Sequence, residues 1–445
     1  MTEDLTLPPA AELPVPGAIL PETPVSEKPV SQPPSSGAPA SAKMPTHWYS
    51  VAQLGLSLLA VLALWGMAAS TLLAALSQRL LGKASGTELL PIALIGVSFF
   101  FMGVLLLPSA YYALMRLLRR PVVHTNRMWS RLRPTLLIFG LPVLFAAGYW
   151  ISQNQTLAWL LLPPVHVVTI TLPLLWLTYL GVRELPLGST QRASGVFASG
   201  AIIAPAVILF AELFALLGGI VLIVAILTSN PAQLEYLIRL ADQLKNAAPT
   251  PEASLQLLQP ILNSPWVIFV VITFAAVIVP LIEEAIKPVG LWLLAGKRLS
   301  PAAGFAAGML SGAGYAVIES LLLTSSGQDW IFLVFARIGT GAVHILTSGM
   351  IGWALVLAWN QGSYLRLGAV YLLGVLIHGT WNGMTMIIAF NDITPAHGAT
   401  GIGFLSAAGQ VAPYVLGSIA VLSFAGLLLA NRRLARQVNA EETIV

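Results

Sequence analysis

The segment EEAIK, residues 283–287, places two adjacent glutamates and a lysine inside a long apolar run. No charged residue precedes it between Pro265 and Val279, and the apolar sequence GLWLLAG follows soon after. Adjacent carboxylates in a low-dielectric site cannot both ionise easily, so one of them becomes a base that can take a proton from water. Glu283 and Lys287 are four residues apart and share a helix face, so the lysine balances the remaining charge. The segment therefore suits hydrolytic chemistry.

The three following apolar runs each carry a polar pair at the same spacing of four residues. The pairs are Tyr315 and Glu319 in GYAVIES, His344 and Ser348 in HILTSG, and His378 and Asn382 in HGTWNG. Residues four apart lie on one face of a helix, so each run presents a polar stripe. Arg337 precedes His344 on the same run, two turns earlier. The stripes reach overlapping depths at a rise of about 1.5 Å per residue, and we expect them to share one cavity.

Two chemical schemes fit these residues. In the first, the glutamate pair activates water while Lys287 or Arg337 balances the remaining charge. The histidines and Asn382 then polarise a carbonyl group or hold the water. In the second, Glu284, His344 and His378 form a ligand set for zinc or another divalent metal, with one open coordination position. Both schemes end in hydrolysis within a membrane.

The composition of the chain indicates the environment in which these residues lie. The chain has 445 residues, of which 57% are hydrophobic and 9% charged, whereas a soluble domain carries about a quarter charged residues. We therefore expect a multi-pass membrane protein embedded in the lipid bilayer. The chain contains no cysteine, which excludes disulfides and thiolate metal sites. Once topology is assigned, no basic surface remains for nucleic-acid binding.

Ten apolar runs are long enough, at about 20 residues, to cross a bilayer. They cover residues 49–77, 89–115, 134–151, 157–181, 199–227, 264–295, 302–323, 331–358, 367–390 and 407–430. We predict an all-α, polytopic membrane helix bundle of about ten transmembrane helices. Between the fifth and sixth runs, PAQLEYLIRLADQLKN has apolar residues at helical spacing and is expected to lie on the membrane surface.

The distribution of basic residues predicts the orientation. With a cytoplasmic N-terminus, sixteen lysines and arginines fall on the cytoplasmic side and four on the other. This asymmetry obeys the positive-inside rule, so we predict two cytoplasmic termini and a plasma-membrane location. Five parts follow: a disordered Pro-rich cytoplasmic tail (1–46), an N-terminal membrane half of about five helices (47–228), an extracytoplasmic loop (229–263), a four-helix catalytic core (264–390), and a final helix with a basic cytoplasmic tail (391–445).

Charged residues within the predicted spans require a polar interior, since each costs about 2.5–3.5 kcal/mol at the bilayer centre on insertion scales. Spans six to eight hold five of them, which must therefore pair or face one cavity. Glu212 and His166, in earlier spans, have no matching partner in the sequence, and we expect structural roles for both. Pro280 and Pro288 flank the glutamate pair and should distort the sixth span.

Small residues should allow the helices around the cavity to approach closely. Gly304, Gly308 and Gly312 recur every four residues in the seventh span, which also carries Glu319. Such a stripe lets two helix backbones come together within a membrane.

This ordered set of residues resembles the PrsW family of intramembrane proteases, which is related to the CAAX-prenyl-protease and bacteriocin-immunity superfamily. The family pattern is EE-x-x-K, then F-x-x-x-E, then two helices with histidines, the last similar to H-x-x-x-N/D. EEAIK matches the first element in full. YAVIE has Tyr315 in place of Phe but keeps Glu319, and HILTSG and HGTWN fit the later helices. The resemblance covers roughly residues 265–390.

The resemblance implies an intramembrane endopeptidase that cleaves membrane-anchored proteins, with anti-sigma factors as the type substrate. It assigns activity to Glu283, Glu284, Glu319, His344 and His378. A non-catalytic scaffold of the same superfamily, whose cavity receives a partner helix, is the alternative. A proton-coupled transporter is disfavoured because the two halves show no internal repeat. The chain also lacks HExxH, a GxSG nucleophile and an intramembrane aspartate pair, which argues against other intramembrane protease mechanisms.

Overall fold

The computed structural model describes residues 48–120, 134–154, 156–228, 231–246, 257–258, 264–393 and 403–444. Nearly all of these residues are helical, and none of them lies in a β-strand. The all-α prediction is therefore confirmed. The predicted disordered tail, residues 1–46, and part of the predicted loop 229–263 lie outside the described residues.

The described part of the chain forms thirteen α-helices. They are α1 (Trp48–Leu80), α2 (Gly86–Leu117), α3 (Pro134–Ser152), α4 (Ala158–Val182), α5 (Thr190–Thr228), α6 (Pro231–Asn246), α7 (Pro265–Thr273), α8 (Val279–Ile286), α9 (Val289–Trp292), α10 (Pro301–Leu322), α11 (Asp329–Gln361), α12 (Tyr364–Ile393) and α13 (Gly403–Ile444). A π-helical turn, Phe274–Ile278, joins α7 to α8. Together α7, the π turn, α8 and α9 form the broken sixth span, Pro265–Trp292.

In the described part of the chain, nine helical stretches are long and apolar enough to cross a membrane. They correspond to the first, second and fourth to tenth predicted spans, so the multi-pass prediction is confirmed. The third predicted span coincides with α3, which is not among these nine. The predicted amphipathic helix forms α6 with the same bounds; its place on the membrane surface stays a prediction.

The helices α10 and α11 form the centre of the bundle and are the most enclosed of the long helices. Small residues bring them together. A Cβ added to Gly308 would collide with the carbonyl oxygen of Ser348, and one added to Gly304 would lie 2.6 Å from the carbonyl oxygen of Gly352. The close approach predicted from the glycine stripe is confirmed, and it places Glu319 of α10 near His344 of α11.

The helix α5 also packs closely against α10. A Cβ added to Gly200 would collide with the carbonyl of Ser311, and one added to Gly314 would collide with the carbonyl of Phe197. On another side of the core, α12 contacts both α11 and the π turn. The polar residues of the sixth span thus lie between α5, α10, α11 and α12.

The sixth span is distorted on both sides of the glutamate pair, as the two prolines predict. Pro280 has no N–H to donate to the carbonyl of Ala276, and the π turn ends two residues earlier, at Ile278. The amide of Asn382 donates to the neighbouring carbonyl of Ala275 at 3.1 Å. The Tyr371 hydroxyl donates to the carbonyl of Leu281 at 2.6 Å. Side chains of α12 therefore satisfy backbone groups of the broken span.

A second break separates α8 from α9 at Lys287 and Pro288. There the Ser311 hydroxyl of α10 donates to the carbonyl of Lys287 at 2.6 Å and accepts from the backbone N–H of Gly290 at 3.2 Å. One hydroxyl thus bridges the two ends of the break. Because Lys287 lies at the break, this bridge also holds the lysine backbone in place.

Candidate active site

The residues predicted to share a cavity come together around the side chain of Lys287. The helix α8 supplies Glu283 and Glu284, and the end of α8 supplies Lys287 itself. The other contributors are Glu319 from α10, Arg337 and His344 from α11, and His378 from α12. The side chains of Glu284, Lys287 and His344 are fully buried. Four spans therefore converge on one buried, charged cluster.

The ammonium of Lys287 contacts two carboxylates and two imidazoles. Its Nζ lies 2.9 Å from Glu283 Oε2 and 2.9 Å from Glu284 Oε1. It also lies 2.8 Å from His344 Nδ1 and 3.2 Å from His378 Nδ1. An ammonium has three N–H groups, so it cannot donate to all four of these atoms at once.

The hydrogen-bond partners of His344 and His378 indicate which of the four atoms accept from Lys287. His344 Nε2 lies 2.7 Å from Glu319 Oε2, so the ring donates there and accepts from Lys287 at Nδ1. His378 Nδ1 lies 3.0 Å from Glu284 Oε1. Protonated at Nδ1, His378 donates to Glu284; unprotonated there, it accepts from Lys287. The contacts of His378 are therefore compatible with either tautomer of its ring.

Glu319 connects the cluster to a second cation. Arg337 Nη2 lies 2.8 Å from Glu319 Oε2, and Arg337 Nε donates to the hydroxyl of Ser320 at 3.2 Å. The Glu319 side chain is 30% exposed, compared with 7% for Glu283 and 0% for Glu284. Glu319 thus lies at the edge of the cluster and the glutamate pair in its interior.

The two glutamates differ in how their oxygens are used. Glu283 Oε2 is ion-paired with Lys287, although the two atoms do not meet hydrogen-bond geometry. Glu284 Oε1 contacts Lys287 and His378, whereas Glu284 Oε2 is buried and has no hydrogen-bond partner among the described residues. A Cβ added to Gly374 of α12 would lie 3.6 Å from that oxygen. Glu284 Oε2 therefore faces a position without a side chain.

Two further residues approach Glu283. The carboxyl of Glu212, on α5, lies close to Glu283, and Glu212 Oε1 is buried without a hydrogen-bond partner among the described residues. The hydroxyl of Tyr315 approaches the same glutamate. The Tyr315 ring packs edge to face against His344, with centroids 5.4 Å apart. Glu212 therefore lies beside the cluster, and the structural role expected for it stays a prediction.

His166, the other intramembrane residue given a structural role, lies outside the cluster. It is fully buried, and its Nδ1 accepts a hydrogen bond of 3.1 Å from the indole of Trp330. This contact joins α4 to the start of α11. His166 is thus a packing residue of the core and provides a matched control for the cluster histidines.

Part of the cluster has the donor set of a divalent metal site. Ligand atoms of Glu283, His344 and His378 all lie within 4.8 Å of one another, and the three residues are buried. One glutamate and two imidazoles suit zinc. A ligating histidine commonly donates its other N–H to a carboxylate, as His344 does to Glu319. The Lys287 ammonium occupies the point where these donors converge, so a metal ion held by the same atoms would replace the ammonium there.

The metal set predicted from sequence differs from this one in its carboxylate. It contained Glu284, whereas the carboxylate grouped with His344 and His378 is Glu283. The two glutamates are adjacent in sequence, and spacing alone does not distinguish which one faces both rings.

Residues 193–408 match the family model described as PrsW family intramembrane metalloprotease. The match begins in α5, earlier than the resemblance noted from EEAIK and the later motifs, and it includes Glu212. No curated protein and no solved structure matches the chain.

Proposed function

Because this chain carries a PrsW family domain over residues 193–408, we propose that it is an intramembrane endopeptidase that hydrolyses membrane-anchored proteins with a glutamate-activated water. The family supports membrane protease function, and the nine long apolar helices support a multi-pass membrane protein. We also propose the substrate class, the roles of the reacting groups and the membrane in which the protein lies.

The observation that carries this proposal is the convergence of Glu283, Glu284, His344 and His378 on one buried point. Each of these side chains contacts the Lys287 ammonium at 3.2 Å or less. Burying ionised groups is costly unless they are paired. Helix packing alone does not require buried charges of this kind. A hydrolase, in contrast, needs a base, a proton carrier and a balancing charge in one place.

Glu284 is the general base in this account. Its Oε2 has no hydrogen-bond partner among the described residues and faces Gly374, where no side chain competes with water or substrate. Glu284 takes a proton from water as the water oxygen bonds to the scissile carbonyl carbon. The same proton then passes to the amide nitrogen as the C–N bond breaks, which yields a carboxylic acid and an amine.

The remaining residues of the cluster position and balance this base. Lys287 holds Glu284 through Oε1, which leaves Oε2 for the water. His378, in contact with Glu284 Oε1, carries a proton to or from the base. Glu319 orients His344, and Arg337 balances the charge of Glu319.

A divalent metal ion, zinc being the first choice, would be held by Glu283, His344 and His378. When bound, it supplies Lewis-acid polarisation of the substrate carbonyl or of water. With a metal bound, Glu283 would be a ligand and Glu284 would remain the base. The adjacent positions of the two glutamates allow them these separate roles. The metal scheme and the metal-free scheme share the same base.

The proposed substrates are membrane-anchored proteins, including regulators similar to anti-sigma factors, as the family resemblance implies. The proposed location is the plasma membrane with both termini cytoplasmic. In that orientation, basic residues concentrate on the cytoplasmic face, as the positive-inside rule requires.

One observation favours the non-catalytic alternative. The Lys287 ammonium contacts Glu283, Glu284, His344 and His378, so the cluster is also an ion-pair network. In a scaffold, such a network would hold four helices in register around a partner helix. Substitution of the base distinguishes the two functions, because a scaffold would keep its partner.

The proposal is tested by comparing the N-termini of membrane proteins in cells that produce wild type or Glu284→Gln at equal abundance. Glu235→Gln is the matched control, since Glu235 on α6 is exposed and its pairing with Arg239 is a surface contact. New termini within or beside membrane spans, present with wild type and Glu235→Gln and absent with Glu284→Gln, support proteolysis. Identical termini in all three under several stresses would move the assignment to the scaffold.

A further inference from the structure

A cavity of about 480 Å³ lies away from the cluster, between α1, α2, α5 and the segment that follows α9. The start of α1, the end of α2, the start of α5 and the end of the sixth span all meet here. Since the ends of spanning helices lie near the membrane boundary, the cavity lies at the depth of lipid headgroups. The proposed protease mechanism does not use it.

Three basic side chains line the cavity: Arg116 from α2, Arg192 from α5 and Lys297 after α9. The described residues that line it include no aspartate or glutamate. None of the ion pairs within the described part of the chain involves these three cations. Lys297 lies over the ring of Tyr49, 5.7 Å from its centroid. The cavity is therefore cationic, and no carboxylate among the described lining residues neutralises it.

The wall between these cations is a fixed polar network. Gln53 Nε2 donates to Ser109 Oγ at 3.0 Å, and Ser57 donates to the same hydroxyl at 2.9 Å. Gln191 Nε2 donates to Ser50 Oγ at 2.8 Å and to Gln53 Oε1 at 3.0 Å. These bonds join α1, α2 and α5 and hold the cavity open in one shape.

The cavity also has an apolar part. Leu56, Ile202 and Ile203 line it further along α1 and α5, and Leu293 and Leu294 line it from the end of the sixth span. A ligand that fills the whole space must therefore combine a negatively charged group with a hydrocarbon portion. A free anion would occupy only the basic end.

We propose that this cavity binds one anionic phospholipid, with the phosphate of its headgroup among Arg116, Arg192 and Lys297 and an acyl chain along the apolar wall. Arginine and lysine are the residues that pair with phosphate. Basic residues near an anionic membrane surface also draw such lipids to the protein.

The bound lipid would touch the span that carries the catalytic glutamates. Gly290, Leu293 and Leu294 line the cavity and lie shortly after Lys287 on that span. The N–H of Gly290 donates to the Ser311 hydroxyl that also bonds the carbonyl of Lys287. The lipid thus stabilises the end of the broken span, and its binding does not depend on the proteolytic proposal.

The test uses the full-length chain, purified in detergent, with phosphatidylglycerol or phosphatidylcholine of identical acyl chains added in increasing amounts. Native mass spectrometry counts the lipids retained. The cavity variant is Arg116→Gln/Arg192→Gln/Lys297→Gln. The control, Arg432→Gln/Arg433→Gln/Arg436→Gln on α13, removes the same net charge outside the cavity lining.

We expect wild type and control to retain one tightly bound phosphatidylglycerol, and the cavity variant to bind it on the order of 100-fold more weakly. Phosphatidylcholine should bind weakly to all three. Equal retention of phosphatidylglycerol by the cavity variant and the control would overturn the proposal. In a further experiment, inorganic phosphate is added to the lipid-bound protein. Displacement of the lipid at micromolar phosphate would assign the cavity to a free anion and would likewise overturn the proposal. Thermal unfolding of each variant shows whether it is folded, and single substitutions replace the triple variant if it is not.

Discussion

The Nζ of Lys287 lies 2.9 Å from Oε1 of Glu284, and both side chains are fully buried. The two residues are three apart on a span that is broken immediately after the lysine. Removing one partner of such a pair leaves an uncompensated buried charge, which costs far more than the net contribution of the intact pair. The stability of the cluster and its chemistry therefore depend on the same contacts.

Lys287→Met should destabilise the protein by about 3–5 kcal/mol, because it leaves two adjacent carboxylates without their shared cation. Lys287→Met/Glu284→Gln should be more stable than Lys287→Met alone, since it leaves only one carboxylate. Thermal unfolding in detergent, followed by tryptophan fluorescence, measures both. A double variant no more stable than the single variant would contradict the pairing seen here.

His344→Ala should remove bound divalent metal from the purified protein, because His344 contributes one of three donors and no other imidazole besides His378 lies in the cluster of the described residues. His166→Ala is the matched control: it deletes a buried imidazole that bonds Trp330 and should retain the metal. Metal per chain is measured by mass spectrometry of the element after dialysis. Equal metal content in the two variants, or none in wild type, would favour the metal-free scheme.

Glu319→Gln should weaken metal binding by about 10–100-fold, since a carboxylate that orients a ligating histidine typically contributes that much. The amide oxygen still accepts from His344 Nε2, but the ion pair with Arg337 is lost. Competition against a metal-binding dye measures the affinity. An unchanged affinity would show that Glu319 serves packing alone.

Gly308→Ala should destabilise the protein by about 1–3 kcal/mol, because its Cβ would collide with the carbonyl of Ser348 at the closest contact of α10 and α11. Gly66→Ala is the control, since no atom lies within 4 Å of an added Cβ there. That variant should not be destabilised, because alanine favours a helix over glycine by up to about 1 kcal/mol where the space is open. Equal effects at both positions would argue against the central packing.

The proposed orientation can be tested on a background that already lacks cysteine. With cytoplasmic termini, a cysteine at Lys83, between α1 and α2, faces outward, and one at Gln361, at the end of α11, faces inward. A membrane-impermeant maleimide added to intact cells should label Lys83→Cys and not Gln361→Cys. The reverse pattern would invert the topology.

Several parts of the site could be predicted from sequence because they depend on local periodicity. The spacing of Glu283, Glu284 and Lys287 places them on neighbouring faces of one helix whatever the rest of the fold does. The glycine stripe of α10 and the distortion at Pro280 and Pro288 follow from single-residue properties.

Other parts could not be predicted because they depend on which helices become neighbours. Glu212 reaches Glu283 only because α5 packs on α10 through Gly200 and Gly314. The grouping of Glu283, rather than Glu284, with both histidines depends on the rotation of α8 after the π turn. Helix rotation and helix contact are tertiary properties, and the periodicity of a sequence does not determine them.

The central claim is that Glu284 acts as the base of a protease, and a reconstituted reaction tests it most directly. Wild type, Glu284→Gln and Glu235→Gln are purified, placed in lipid vesicles, and each mixed with a membrane protein whose new N-terminus appears in cells. The account predicts cleavage at that terminus by wild type and Glu235→Gln, and a rate lower by about 100-fold or more for Glu284→Gln. Cleavage by Glu284→Gln at the wild-type rate would contradict it.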